Sequence, residues 1–174
     1  MNKVLIFLLS TFMLSSLSAC IPDDSINKDS EQVSSAAATI ADFDLPVGYQ
    51  ADFSASLMGY TFASFRPDDE HSHLYFIQSE KETDGEKLAQ MLDELVPGAS
   101  DPQTRMTVIE TRPATIREQQ VTLVISEGVS SDGETYRQVT AAFQGKGGPA
   151  LLVLSEPVSR WNQETVDAFL TSIQ

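Results

Sequence analysis

The residues in this 174-residue chain best suited to metal chemistry are its two histidines, His71 and His73. On a strand, a spacing of two projects both imidazoles from one face, which makes the pair a candidate metal chelate. Asp68, Asp69 and Glu70 directly precede them. A zinc site needs three or four protein ligands, held by a surrounding shell of hydrogen bonds. The sequence names no further ligand, so the competing reading is a polar hairpin tip. Gly145-Lys146-Gly147-Gly148-Pro149 has the composition of a phosphate cradle, but a P-loop lysine is followed by Ser or Thr and the loop opens a helix. Gly147 follows this lysine and a strand pattern comes next, so the segment reads as a hairpin turn. No serine stands in Gly-x-Ser-x-Gly, and the histidines that would serve as a base cluster at one turn. The 25 acidic residues leave open a hydrolase built on converging carboxylates, yet no spacing selects a pair. Trp161, Phe169 and the sheet faces either form core or line an apolar ligand cavity between helix and sheet. The chain is therefore expected to be non-enzymatic, with no cofactor.

The remaining reactive group is the single cysteine, Cys20. It follows Lys3, an apolar run from Val4 to Leu14 and a few small residues. These are the parts of a signal peptide over residues 1–19, with an apolar centre too short to span a bilayer. Leu17-Ser18-Ala19-Cys20 resembles the lipobox of bacterial lipoproteins, which implies that Cys20 is acylated and becomes the first residue of the mature chain. An ordinary signal peptide cut after Ala19 would instead leave Cys20 a free thiol. Acylation consumes the only thiol, so stability has to come from a core although the compartment permits disulfides. Ile21 is similar to the residue found there in outer-membrane-directed lipoproteins. That likeness implies a cell-envelope location on the outer membrane, facing the periplasm, in a host with two membranes.

Charge narrows the partners. Eleven basic residues stand against 25 acidic ones, a net charge of -14. Nucleic acid and anionic headgroups attract clusters of Lys and Arg, whereas the basic residues from Lys28 to Arg160 are scattered singly. No nucleic-acid partner is expected, and the acidity reads as a solubility coat.

The elements that must position these groups divide the chain in three. Residues 20–40, polar and small, read as the lipidated cysteine and a flexible tether with a reach of roughly 25 Å. Residues 41–174 read as one globular domain. A first strand is expected to end at Phe43-Asp44-Leu45-Pro46-Val47-Gly48-Tyr49, followed by two strands broken at Gly59 and another over Ser72 to Gln78. Thr83-Asp84-Gly85-Glu86 is a capping-box pattern, and Leu88, Met91, Leu92 and Leu95 form the apolar stripe of a helix stopped by Pro97-Gly98. Four strands follow, around Val108, Val121–Ile125, Val139–Phe143 and Leu151–Leu154, with hairpin turns at Ser131-Asp132-Gly133 and Gly145 to Gly148. Leu151-Leu152-Val153-Leu154 is apolar at every position and belongs in a sheet interior covered on both sides. A second helix, capped by Asn162, buries Val166, Phe169, Leu170 and Ile173. The expected fold is α+β, a central antiparallel sheet of about seven strands with two amphipathic helices.

The Phe-x-Leu-Pro-x-Gly-Tyr motif at 43–49, the strand pair around Tyr136 to Leu154 and the closing Trp161 to Ile173 helix together resemble the PsbP/DcrB-like superfamily. That resemblance implies a central antiparallel sheet with packed helices and an extracytoplasmic accessory or binding role. It transfers no site residue. The expected function is a lipid-anchored accessory domain, held to the membrane at Cys20, that engages another envelope protein. The alternatives are a carrier of a small apolar ligand or a metal ion, and the carboxylate hydrolase.

Overall fold

A computed structural model describes residues 26–68, 71–97, 99, 106–130 and 133–174. In chain order the elements are β1 (Ile26–Asn27), α1 (Ser30–Ile40), β2 (Gln50–Leu57), β3 (Tyr60–Arg66), β4 (His73–Ser79), α2 (Gly85–Leu95), β5 (Thr107–Ile116), β6 (Gln119–Val129), β7 (Thr135–Gln144), β8 (Pro149–Pro157) and α3 (Gln163–Ser172). All eight strands form one sheet in the order β1-β2-β3-β4-β8-β7-β6-β5. Every neighbouring pair is antiparallel. Two meanders, β1 to β4 and β5 to β8, are thus joined edge to edge through β4 and β8.

This corrects the expected α+β fold of about seven strands and two helices. The protein is β-rich, with eight strands and three short helices among the described residues. The additional helix and strand lie in the stretch read as a tether. Asp29 caps α1 by accepting from the Glu31 and Gln32 amides, and Val33, Ala37 and Ile40 are fully buried. Only three residues of α1 face the sheet, and small or polar residues separate them, so its apolar period is too sparse to read. The described fold therefore starts at residue 26, not 41. The segment around Phe43 is also corrected, because it joins no ladder. It runs along α3, with Asp42 and Gln174 exchanging backbone hydrogen bonds of 2.8 and 3.0 Å.

Strand alternation divides the core between the two sheet faces. One face packs under α1 and α3 and carries Phe65, Leu74, Phe76, Leu123, Val139, Leu152 and Leu154. Phe43 lies at its centre, stacked on Phe76 at 4.6 Å and edge-on to Phe65 and Phe169. The other face packs under α2 and carries Phe62, Tyr75, Ile77, Leu151 and Val153 against Leu88 and Leu92. β8 therefore has cover above and below, as its unbroken apolar run requires. The α2 cap sits one residue later than the capping-box pattern indicates, since Asp84 accepts from the Lys87 amide at 2.8 Å. Asn162 caps α3 through the Thr165 amide at 3.0 Å.

Two turns set the remaining register. Met58 and Gly59, both at positive φ, close the β2–β3 hairpin. Arg117 and Glu118, at φ 51° and 61°, close β5–β6. Gly133 lies in the β6–β7 connection, while Ser131 and Asp132 of the expected turn lie outside the described residues.

Candidate functional site

The two histidines sit on the α2 side of the sheet. His73 opens β4 and its ring stacks on Tyr75, with centroids 5.6 Å apart. His71 precedes the strand, and its Nδ1 lies 3.1 Å from the Tyr136 hydroxyl, which also bonds Glu134 at 3.3 Å. Pairing registers place His73 opposite Ser155, Ser155 opposite Gln138 and Gln138 opposite Ser126. A row of polar side chains thus crosses four strands, and its three members beyond His73 are buried. Among the described residues, no group of three or more His, Cys, Asp or Glu converges as a metal site would require. Asp68 instead accepts from Gln50 at 2.7 Å. Asp69, Glu70 and Cys20 lie outside the described residues.

The glycine loop does structural work. The Lys146 amide donates to the Ile40 carbonyl at 2.8 Å, while its ammonium reaches Ala38 O at 2.9 Å and Asp42 at 2.6 Å. The Gly147 amide donates to the buried Gln78 side chain at 2.9 Å. The backbone and ammonium donors that a phosphate would use here fasten the C-terminal end of α1 to the sheet.

The most perturbed titratable groups lie on the α3 side. β8 turns Ser155 toward one face and Glu156 toward the other. On the α3 side the Tyr49 hydroxyl donates to Glu156 Oε1 at 2.7 Å. The pair borders a cavity of about 210 Å³ walled by Pro46, Val47, Leu154, Arg160, Thr165 and Val166. Burial, ahead of the contact with Glu156, pushes the Tyr49 hydroxyl far above the ordinary tyrosine range. Burial also raises the Glu156 carboxyl, against the opposing effect of the Tyr49 hydrogen bond. Beside Glu156, Arg137 on β7 pairs with Glu127 at 2.5 Å and lies 5.3 Å from the centroid of the Trp161 ring. The arrangement can hold a proton between a phenol and a carboxyl and can donate to a small bound group. Both histidines face the other side of the sheet, so neither serves Glu156 or Tyr49 as a partner base.

A carboxyl with a raised folded-state pKa stabilises the protein most fully below its unfolded value, and that contribution is lost as pH rises through the folded value. Glu156→Gln keeps an acceptor for Tyr49 and removes the buried charge. Thermal melts of parent and variant should therefore diverge as pH rises above about 4.5, with the variant melting higher. Curves that stay parallel to pH 8 would show that Glu156 ionises without cost.

A second concavity, about 860 Å³, lies between α3 and the β5–β6 hairpin. Leu123, Leu170 and Ile173 line it together with Arg112, Arg117 and Asp167. Arg112 pairs with Asp167, joining edge strand to helix. The sequence marked Tyr49 only as a turn residue and did not mark Glu156. An acid two residues after the buried run Leu151–Leu154 was the available signal. No family model matches the chain, and no curated protein matches it.

Proposed function

We propose that the chain is a lipid-anchored extracytoplasmic accessory domain, without catalytic activity, that engages another envelope protein through the membrane-distal end of its sheet. The observation that carries this reading is that four of the six exposed large apolar residues among the described residues lie toward one end of the strands, with Ile26 and Met58 toward the other. Val47 is 98% exposed, Val129 58%, Val108 57% and Ile109 49%. Val129 ends β6, Val108 lies near the start of β5 with Ile109 in the adjoining bulge, and Val47 precedes the start of β2, all toward the same end of the strands. β1 runs antiparallel to β2, with Ile26 opposite Ala55 and Asn27 opposite Ser54. The chain therefore arrives from the other end, the Leu57 side. An anchor at Cys20 leaves five residues before β1, and the six steps from Cys20 to Ile26 span at most about 20 Å. That leash holds the arriving end close to the lipid and presents the opposite end to partners. Apolar side chains left exposed at that end are available to a protein partner.

Cys20→Ser is expected to release a folded, soluble protein, because stable anchoring needs the acyl chains. Retention of that variant on membranes after a salt wash would overturn the anchor. In detergent-solubilised envelope, cross-linking should recover one partner with the parent chain and lose it with Val47→Asp or Val129→Asp. Repeated recovery of no partner that depends on these residues would overturn the binding surface. The groove between α3 and the β5–β6 hairpin supports a second reading, a carrier of a small ligand. Native mass spectrometry separates the two, since a carrier retains a co-purifying molecule.

A further inference from the structure

We propose that β5 pairs with β5 of a second copy of the chain, in a two-fold symmetric dimer that closes the open edge of the sheet. β5 is the last strand of the sheet, ten residues long. Thr107 to Thr111, Pro113 and Thr115 are all exposed. A bare edge of this length is a template for another strand.

The direction of its backbone groups follows from the Arg117–Glu118 turn. Ile116 and Gln119 flank it, and the pair that closes a two-residue hairpin exchanges both of its hydrogen bonds. Counting back along the register, Ala114–Val121 and Arg112–Leu123 repeat that role. Thr111 and Pro113 thus direct their main-chain polar groups outward. Pro113, which has no N-H, sits where it costs the β5–β6 ladder nothing.

The side chains then name the occupant. Glu110-Thr111-Arg112 is complementary in charge about Thr111. Antiparallel pairing on an axis through Thr111 sets Glu110 against Arg112 on the α3 face, and the matched register ends at the bulge, since Val108 shares the face of Ser126 whereas Ala114 shares that of Val121. The central threonines exchange two main-chain hydrogen bonds. Opposite charges meet twice. Cross-strand pairs of this kind are the unit of sheet stabilisation, and a self-complementary patch is what an isologous dimer requires. Glu110 and Arg112 share a face and lie 3.6 Å apart within one chain, so each arginine can keep Asp167 while facing the glutamate of the second copy. Pro113, which offers no outward N-H, and the bulge between Val108 and Glu110 confine the pairing to the few residues around Thr111.

The test uses the purified full chain carrying Cys20→Ser, so it does not depend on the anchor or on any envelope partner. Thr111→Cys should form a disulfide-linked dimer on mild oxidation, since the axis places the two positions within disulfide reach. Thr122→Cys, exposed on the neighbouring strand, should not. In sedimentation velocity, Glu110→Arg should lower the dimer fraction at least tenfold, and so should Arg112→Glu. Mixing those two variants should restore a heterodimer, because the exchanged charges complement each other across the axis. Thermal melts check that each variant is folded, and exposed Glu110 carries the test alone if Arg112→Glu is not. Equal cross-linking at 111 and 122, no cross-linking at 111, or an undiminished dimer with Glu110→Arg would overturn the proposal.

Discussion

A chain that begins at residue 41 is expected to lose cooperative folding, whereas one that begins at residue 26 should unfold like the full-length protein. α1 packs on β2, β3 and β4 and buries Val33 and Ile40 completely. Burying each of those side chains is worth about 1.5–3 kcal/mol. The Lys146 bonds to Ile40 and Ala38 disappear with them, and the strands beneath α1 become an exposed apolar face. The sum approaches the whole stability of an ordinary domain, about 5–15 kcal/mol. Urea denaturation followed by far-ultraviolet circular dichroism reads the difference. A cooperative transition within about 1 kcal/mol of the parent in the shorter chain would mean that α1 is an appendage.

Gly148→Ala should be the most damaging single methyl in the protein. Gly148 sits at φ 150°, and a Cβ there would stand 2.1 Å from the Ser79 carbonyl oxygen and 3.3 Å from its carbon. Neither neighbour is a side chain that can swing away. Both belong to the backbone at the end of β4. Strained φ costs about 1–3 kcal/mol, and forced overpacking about 1–3 kcal/mol, so a loss near 4 kcal/mol is expected. For a domain of this size that lowers Tm by about 8–16 °C. Gly133→Ala is the control. It also has positive φ, but nothing lies within 4 Å of the added carbon, so it should cost only the backbone strain. Equal losses at the two positions would show that strain alone, and not the Ser79 contact, governs Gly148.

The legible parts of the fold were those where one residue type answers to one physical demand. Leu151–Leu154 announced a strand covered on both faces, Asn162 a cap, and Gly59 a tight turn. Where several residue types meet the same demand, the signal disappeared. Arg117 and Glu118 occupy a positive-φ turn usually left to Gly or Asn, so the β5–β6 hairpin was unmarked. In α1 only Val33, Ala37 and Ile40 face the core, so an ordered helix had the composition of a linker. The candidate site was less legible still. Tyr49 and Glu156 lie 107 positions apart and meet only because β8 lies between β4 and β7. The two histidines, the most conspicuous pair in the sequence, are each engaged by a tyrosine, His71 by Tyr136 and His73 by Tyr75.

The junction of the two meanders also sets the order in which the protein can be completed. β4 ends at Ser79 and β8 starts at Pro149, so β4 is synthesised long before its second neighbour exists. Throughout that interval Leu74 to Ile77, apolar on both faces, present an unpaired margin to solvent. Contacts so distant in sequence form slowly, and an unpaired apolar strand is the kind of surface on which nascent chains aggregate. The N-terminal meander is therefore expected to be the aggregation-prone part of the nascent chain. A folding helper that shields β4 until β8 docks would govern yield without altering the stability of the finished protein.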